Sequence, residues 1–205
     1  VESLMLNLLK KLLLPKFVKR LIKRITKRFR NECYDPFALL KTHLLLKLGK
    51  NKNPHDLPGT LIVSLTSYPP RFSQLDKNLK SLLAQNTAPD RVILWIAHED
   101  RDQVPARVEK LDKYGLEIRT CEDTGPYKKL IPALTAFPGA FVVTADDDIM
   151  YRSDWLQSLI AEWDGKTHQI VCHRAHKIRL DDHGLPLPYR SWDTPIPGPQ
   201  QGVDI

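Results

Sequence analysis

Between residues 61 and 172, five short strand-like runs alternate with segments of helical pattern, and few folds accommodate that alternation. The runs are Leu61–Leu65, Val92–Ile96, Leu116–Thr120, Phe141–Ala145 and Ile170–Cys172. After the first run, Ser73 and Asp76 form a capping-box pattern, and Leu75, Leu79, Leu82 and Leu83 then share one helical face. Pro105 can open a short helix carrying Val108 and Leu111, and Gly115 can close it. Leu130, Leu134 and Phe137 suggest a third helix; Ser153 caps a fourth, bearing Leu156, Leu159, Ile160 and Trp163. Strands separated in this way predict an α/β fold, a mostly parallel sheet with flanking helices. Val92–Ile96 and Phe141–Ala145 have the unbroken apolar character of strands covered on both faces. Leu116, Ile118 and Thr120 alternate with polar residues, as in a strand nearer an edge. Ligands of such sheets bind outside the carboxyl ends of the strands. The loops that matter are therefore 66–71, 98–101, 122–129 and 146–151.

Charge divides the chain unevenly. Residues 1–30 carry ten Lys/Arg and one acid, a net +9, while the rest carries 21 basic and 23 acidic side chains, a net −2. A protein that coats nucleic acid would spread its positive charge over the body, so a nucleic-acid partner is not expected. In the arm, Leu14, Phe17, Val18, Leu21, Ile22, Ile25 and Phe29 form an apolar stripe, with lysines and arginines at the same spacing between them. This predicts a basic amphipathic helix, restarted at Pro15, lying on an anionic membrane surface through residues 1–30, where each cation is worth about 1 kcal/mol. Charges interrupt every apolar run, and no small-residue cleavage site follows, so a secretory signal is not expected. Phe37–Leu48 can form a second short amphipathic helix, and residues 49–58 make a polar, proline-punctuated linker. The expected organisation is an arm and linker over residues 1–56 and a globular domain over 57–205. The longest uncharged stretch, Leu130–Ala145, has 16 residues and contains Pro132, Pro138 and Gly139, too short and too broken for a membrane-spanning helix. Cys33, Cys121 and Cys172 are odd in number and far apart, which supports neither a disulfide scaffold nor a zinc ribbon. His168, Cys172, His173 and His176 cluster, but adjacent strand residues point to opposite faces and no second ligand pair follows.

The sharpest chemical feature is Asp146-Asp147-Asp148, directly after the Phe141–Ala145 run. Three neighbouring carboxylates repel one another, and a divalent cation relieves the conflict. Oxygen ligands suit Mg²⁺ or Mn²⁺. On an extended strand end, Asp146 and Asp148 face one site and Asp147 another.

At this point the residues carry a resemblance. The blocks IVSLTSYPPRF, SLLAQNTAPDRVILWI, GPYKKL and VVTADDDIMYRSDWL, in this order over roughly residues 60–180, resemble a branch of bacterial family-2-like glycosyltransferases associated with cell-surface polysaccharide. The resemblance implies a GT-A fold, a Rossmann-like nucleotide-sugar domain with a D-x-D motif. It implies transfer of a sugar from a nucleotide-diphosphate donor to a saccharide or glycolipid acceptor. Asp148 would bind the metal, Mn²⁺ or Mg²⁺, that bridges the diphosphate, and Asp146 would lie near the ribose or the metal. Thr66, Ser67 and Tyr68 would line the nucleotide pocket, Arg71 and Lys129 would neutralise phosphate, and Asp123 would hydrogen-bond the base or ribose. Asp147 joins the same nucleotide-sugar-binding set. With the basic arm, this implies a cytoplasmic enzyme, peripheral on the inner face of the cell membrane. Only 57 residues follow Asp148, many of them proline-rich, whereas such enzymes place an acceptor-binding carboxylate and loop well beyond the D-x-D. Asp181 and Asp182 match that carboxylate by type alone. The expectation is a chain truncated at its C-terminus. The alternative function is an inactive donor-binding domain acting as a membrane-associated interaction protein. A phosphatase of the haloacid-dehalogenase type would need the D-x-D on its first strand.

Overall fold

The computed structural model describes residues 36–47, 53–166, 169–173 and 176–193. The basic helix expected over residues 1–30 lies outside these, as does His168. The described residues fall into two compact units, divided after Asp154.

The first unit opens with helix α1, Pro36–Lys47, which packs against the later helix α2. Strand β1, Leu61–Thr66, leads through a 3₁₀ turn to α2, Phe72–Leu83. Strand β2, Arg91–Ala97, is followed by 3₁₀ turn His98–Gln103 and the single-turn helix α3, Ala106–Glu109. Strand β3, Leu116–Cys121, leads into 3₁₀ turn Gly125–Lys129 and helix α4, Ile131–Ala136. Strand β4, Phe141–Thr144, completes a four-stranded sheet of order β3-β2-β1-β4. Every pairing is parallel, with Val63 beside Val92, Leu94 beside Ile118 and Ile62 beside Val142. The expected α/β architecture of parallel strands and flanking helices is thus present.

Period-two alternation distributes the apolar residues between the two faces of the sheet. Ile62, Ile93 and Trp95 pack with Ala133 of α4 on one face, joined by Phe137 and Val142. Val63, Leu65, Val92, Leu94 and Ile96 are equally buried on the other, and Leu75, Leu79 and Leu82 of α2 are fully buried as well. Gly115 closes the segment before β3 at φ 94°, a left-handed conformation that costs glycine little.

Three local expectations are corrected. The cap of α2 is Arg71, without a side-chain bond, rather than Ser73; the acidic partner of the proposed box, Asp76, instead takes Lys80 at 2.9 Å and Arg107 at 3.2 Å. Phe141–Val143 of β4 are only half-buried and Thr144 is exposed, because among the described residues β4 is an edge strand. On α4, Ala133 faces the core while Leu130 and Leu134 are exposed, so of the expected apolar positions only Phe137, at the helix end, packs inward.

The second unit contains helix α5, Trp155–Ala161, and a loop closed by bridges Lys177–Asp193 and Leu180–Pro186. Ile170–Cys172 is not a strand, and Ile170 is 92% exposed. Among the described residues of this unit no partner strand pairs with it, and three residues do not sustain a strand alone. Asp181 is a turn residue: its Oδ1 accepts the backbone N–H groups of His183 and Leu185, both at 2.9 Å. The His176 and Tyr189 rings stack and the Trp192 ring meets Tyr189 edge-on, each pair with centroids 5.2 Å apart.

Candidate functional site

The site lies at the carboxyl ends of the strands, where parallel topology brings the ends of β1, β3 and β4 to one edge. Beyond β1, Thr66 donates its hydroxyl to the Trp95 carbonyl at 2.8 Å, tying the end of β1 to β2. Ser67 is buried and donates to Oδ2 of Asp147 at 2.6 Å. Tyr68 is half-exposed, and the Arg71 guanidinium sits 5.6 Å from its ring centroid. Pro69 and Pro70 pre-set the 3₁₀ turn that aims Arg71 back across the strand ends.

The aspartate triad is built differently from the extended strand end that the sequence suggests. β4 stops at Thr144, and Asp147 and Asp148 form a turn. A turn abolishes strict alternation, so Asp147 and Asp148 meet the same cation: Arg71 Nη1 lies 2.7 Å from Asp147 and 3.2 Å from Asp148. Asp147 is turned inward and is 6% exposed. Its carboxylate takes Ser67 and Arg71, and its backbone carbonyl accepts from Asn78 of α2. Bonding to Asp147, followed by its charge, raises the Arg71 guanidinium well above its ordinary value, so it stays charged at any working pH. Asp146 and Asp148 are about half exposed. Lys129 Nζ reaches Asp146 at 2.6 Å, and the Asp146 N–H donates to the Tyr151 hydroxyl oxygen at 2.6 Å. Burial first, and the aspartates' charges after it, push the Tyr151 phenol up to about 12, which keeps it neutral.

The segment after β3 supplies the cations. Lys128 is almost fully buried and is bonded to Asp123. The Gly125 N–H also donates to Asp123 at 3.0 Å, and these two bonds, Lys128 first, hold the Asp123 carboxyl below the usual range. Gly125 turns at φ 60°, a conformation few side chains tolerate. The Lys129 carbonyl accepts from Ser64 Oγ at 2.6 Å, and that oxygen accepts from Trp95 Nε1 at 3.0 Å. The backbone under Lys129 is thereby fixed to the sheet.

Together these residues enclose a cavity of about 580 Å³, large enough for a cofactor-sized ligand. Thr66, Ser67, Tyr68, Arg71, Asp123, Lys129, Asp146 and Asp147 all line it; Asp148 does not line it and reaches it through Arg71. Asp100, from the turn after β2, and Lys128 also line it, and the residue-by-residue reading of the sequence missed both. Their loops, 98–101 and 122–129, were legible as ligand-facing, but nothing in the sequence distinguishes Asp100 from its charged neighbours or Lys128 from Lys129.

Among the described residues, no three His, Cys, Asp or Glu side chains converge as a metal cage. The donors at hand are hard carboxylate oxygens on Asp146 and Asp148, both open to solvent. Mg²⁺ and Mn²⁺ at phosphate sites take one or two protein carboxylates and complete their shell with phosphate and water, so this donor set fits them.

A family model described as glycosyl transferase family 2 matches residues 70–202, from the end of the first strand loop through the aspartate triad and into the second unit. Neither curated proteins nor solved structures give a match.

Proposed function

The chain belongs to glycosyl transferase family 2, and from that premise we propose that the cavity takes the nucleoside diphosphate of a nucleotide-sugar donor and that the sugar passes to a saccharide or glycolipid acceptor in surface polysaccharide synthesis. One observation carries the reading: a single cavity at the strand ends combines the Thr66–Arg71 loop, the cations Lys128 and Lys129 and the aspartates at 146 and 147. That is the chemistry a diphosphate with its counter-cation requires.

In this reading, Tyr68 offers its exposed ring to the base, and Thr66 shapes the pocket floor. Asp123, held by Lys128 and the Gly125 N–H, accepts hydrogen bonds from base or ribose. Asp146 and Asp148 would hold Mn²⁺ or Mg²⁺, which would supply Lewis-acid stabilisation of the diphosphate leaving group. Arg71 and Lys129 approach the same phosphates from the protein side. Asp147 orients Arg71 and Ser67 rather than touching the metal. The test is transfer itself. Incubation of the chain with nucleotide sugars and Mn²⁺ should release nucleoside diphosphate faster when an oligosaccharide or glycolipid acceptor is present. Binding without any release would favour the donor-binding interaction protein instead.

The same proposal extends to location. Residues 1–30, outside the described residues, hold the domain on the anionic inner face of the cell membrane through their +9 charge and apolar stripe. Flotation with anionic vesicles should carry the full chain upward and leave a version beginning at Asn53 behind. Equal flotation of both would sink this part of the proposal.

A further inference from the structure

We propose that Lys129 is an exchangeable counter-ion of the aspartate triad: it holds Asp146 until a divalent cation arrives and then turns to the diphosphate that accompanies that cation. The inference rests on the donor-site reading and adds to it the order and coupling of binding.

The three aspartates are not equivalent. Asp147 is inward and has lasting partners in Ser67 and Arg71. Asp146 and Asp148 stand half in solvent, and each is covered by one cation, Lys129 at 2.6 Å and Arg71 at 3.2 Å. Arg71 is anchored by its shorter bond to Asp147, so its hold on Asp148 can lapse without its moving far. Lys129 has no such anchor for its ammonium group among the ion pairs described. Its main chain is fixed by Ser64, which leaves the four-carbon stem as the part able to move. Exposed ion pairs of this kind are weak and readily exchanged.

An ammonium group seated on Asp146 opposes any second cation there. A divalent ion alone must displace it into solvent. A diphosphate alone meets half-exposed carboxylates. When both arrive, the ion replaces Lys129 on Asp146, and the released ammonium group finds a phosphate oxygen in the same cavity. Metal and nucleotide therefore strengthen each other's binding by the same factor, as linkage requires.

Calorimetry tests this with Mn²⁺ on the nucleotide-free full chain and with uridine and guanosine diphosphates at saturating Mn²⁺. Lys129→Ala should bind Mn²⁺ alone about fivefold more tightly, because a competing cation is gone. The same variant should bind nucleoside diphosphate about tenfold more weakly with Mn²⁺ present, because a phosphate partner is gone. Lys129→Gln, close to lysine in bulk, should repeat both shifts and so exclude a folding defect. In an Asp146→Asn background, the gain in Mn²⁺ affinity should vanish. Unchanged or lowered Mn²⁺ affinity in both Lys129 variants would overturn the exchange and leave the donor site standing. Failure of the wild-type chain to bind either nucleotide with Mn²⁺ would overturn the donor-site reading and the exchange with it.

Discussion

Asp147 and its neighbours Asp146 and Asp148 are the same residue type in one unbroken run, yet they do different work. The sequence identifies the triad, its place after a strand and the crowding of three carboxylates. It does not reveal which aspartate turns inward, because that depends on the turn at 147–148 and on Ser67, Arg71 and Asn78, which lie 69 to 80 positions away in sequence. An extended strand end makes the middle aspartate a bystander; the turn makes it the anchor for the loop after β1. Asp147→Asn keeps the shape but weakens the pairing with Arg71 and one bond to Ser67. It should lower stability by about 1–3 kcal/mol, the usual cost of leaving buried polar partners unmatched. Urea denaturation measures this, and a midpoint equal to wild type would mean that Arg71 and Ser67 find equivalent partners. Arg71 and Lys129 were legible as cations of the loops beyond the strand ends. Their seats on carboxylates were not, since the pairing is a tertiary fact.

At the scale of elements, the strands declared themselves by β-rich runs and the sheet by their alternation with helices. What stayed hidden was where each strand lies. Phe141–Ala145 reads as a central strand by composition, but its position is decided by pairing to β1 alone among the described residues. Ile170–Cys172 reads as a strand by residue type and pairs with no strand among the described residues. The link between sheet and site runs through Ser64, an apparent polar interruption of β1 that is completely buried. Ser64→Ala would strip the Trp95 indole N–H and the Lys129 carbonyl of their partner. A loss of about 1–3 kcal/mol is expected, together with weaker nucleotide binding as the loop under Lys129 loosens. Thermal unfolding beside a binding titration checks both, and a stable variant with intact binding would contradict the role.

At the opposite end of the sheet, Asp90 accepts the Leu61 N–H at 2.7 Å and pairs with His55 at 2.9 Å. The backbone bond first and His55 second hold the Asp90 carboxyl below its ordinary range. The unfolded chain therefore binds the proton more readily. The stabilisation is fully present above about pH 4, where an unfolded aspartate is ionised, and is lost as pH falls through the lower folded value. Asp90→Asn should flatten this acid limb of a stability–pH curve. An unaltered acid limb would show that the anchor is energetically idle.

For the whole molecule, family membership, the parallel sheet and the cavity at its carboxyl edge agree on glycosyl transfer. The charge asymmetry sets a basic arm of net +9 apart from a near-neutral body. Fold class was readable because alternation and burial follow from short-range pattern. The cavity's composition was readable in outline because topology dictates which loops meet. The central claim is that a nucleoside diphosphate enters this cavity with a divalent cation between it and the aspartates. Calorimetric titration of the full chain with uridine or guanosine diphosphate, in Mn²⁺ and again in EDTA, tests it most directly. The account predicts saturable binding in Mn²⁺, loss of that binding in EDTA, and its loss in Mn²⁺ when Asp148 is replaced by Asn. Equal binding in EDTA, or undiminished binding by Asp148→Asn, would contradict it.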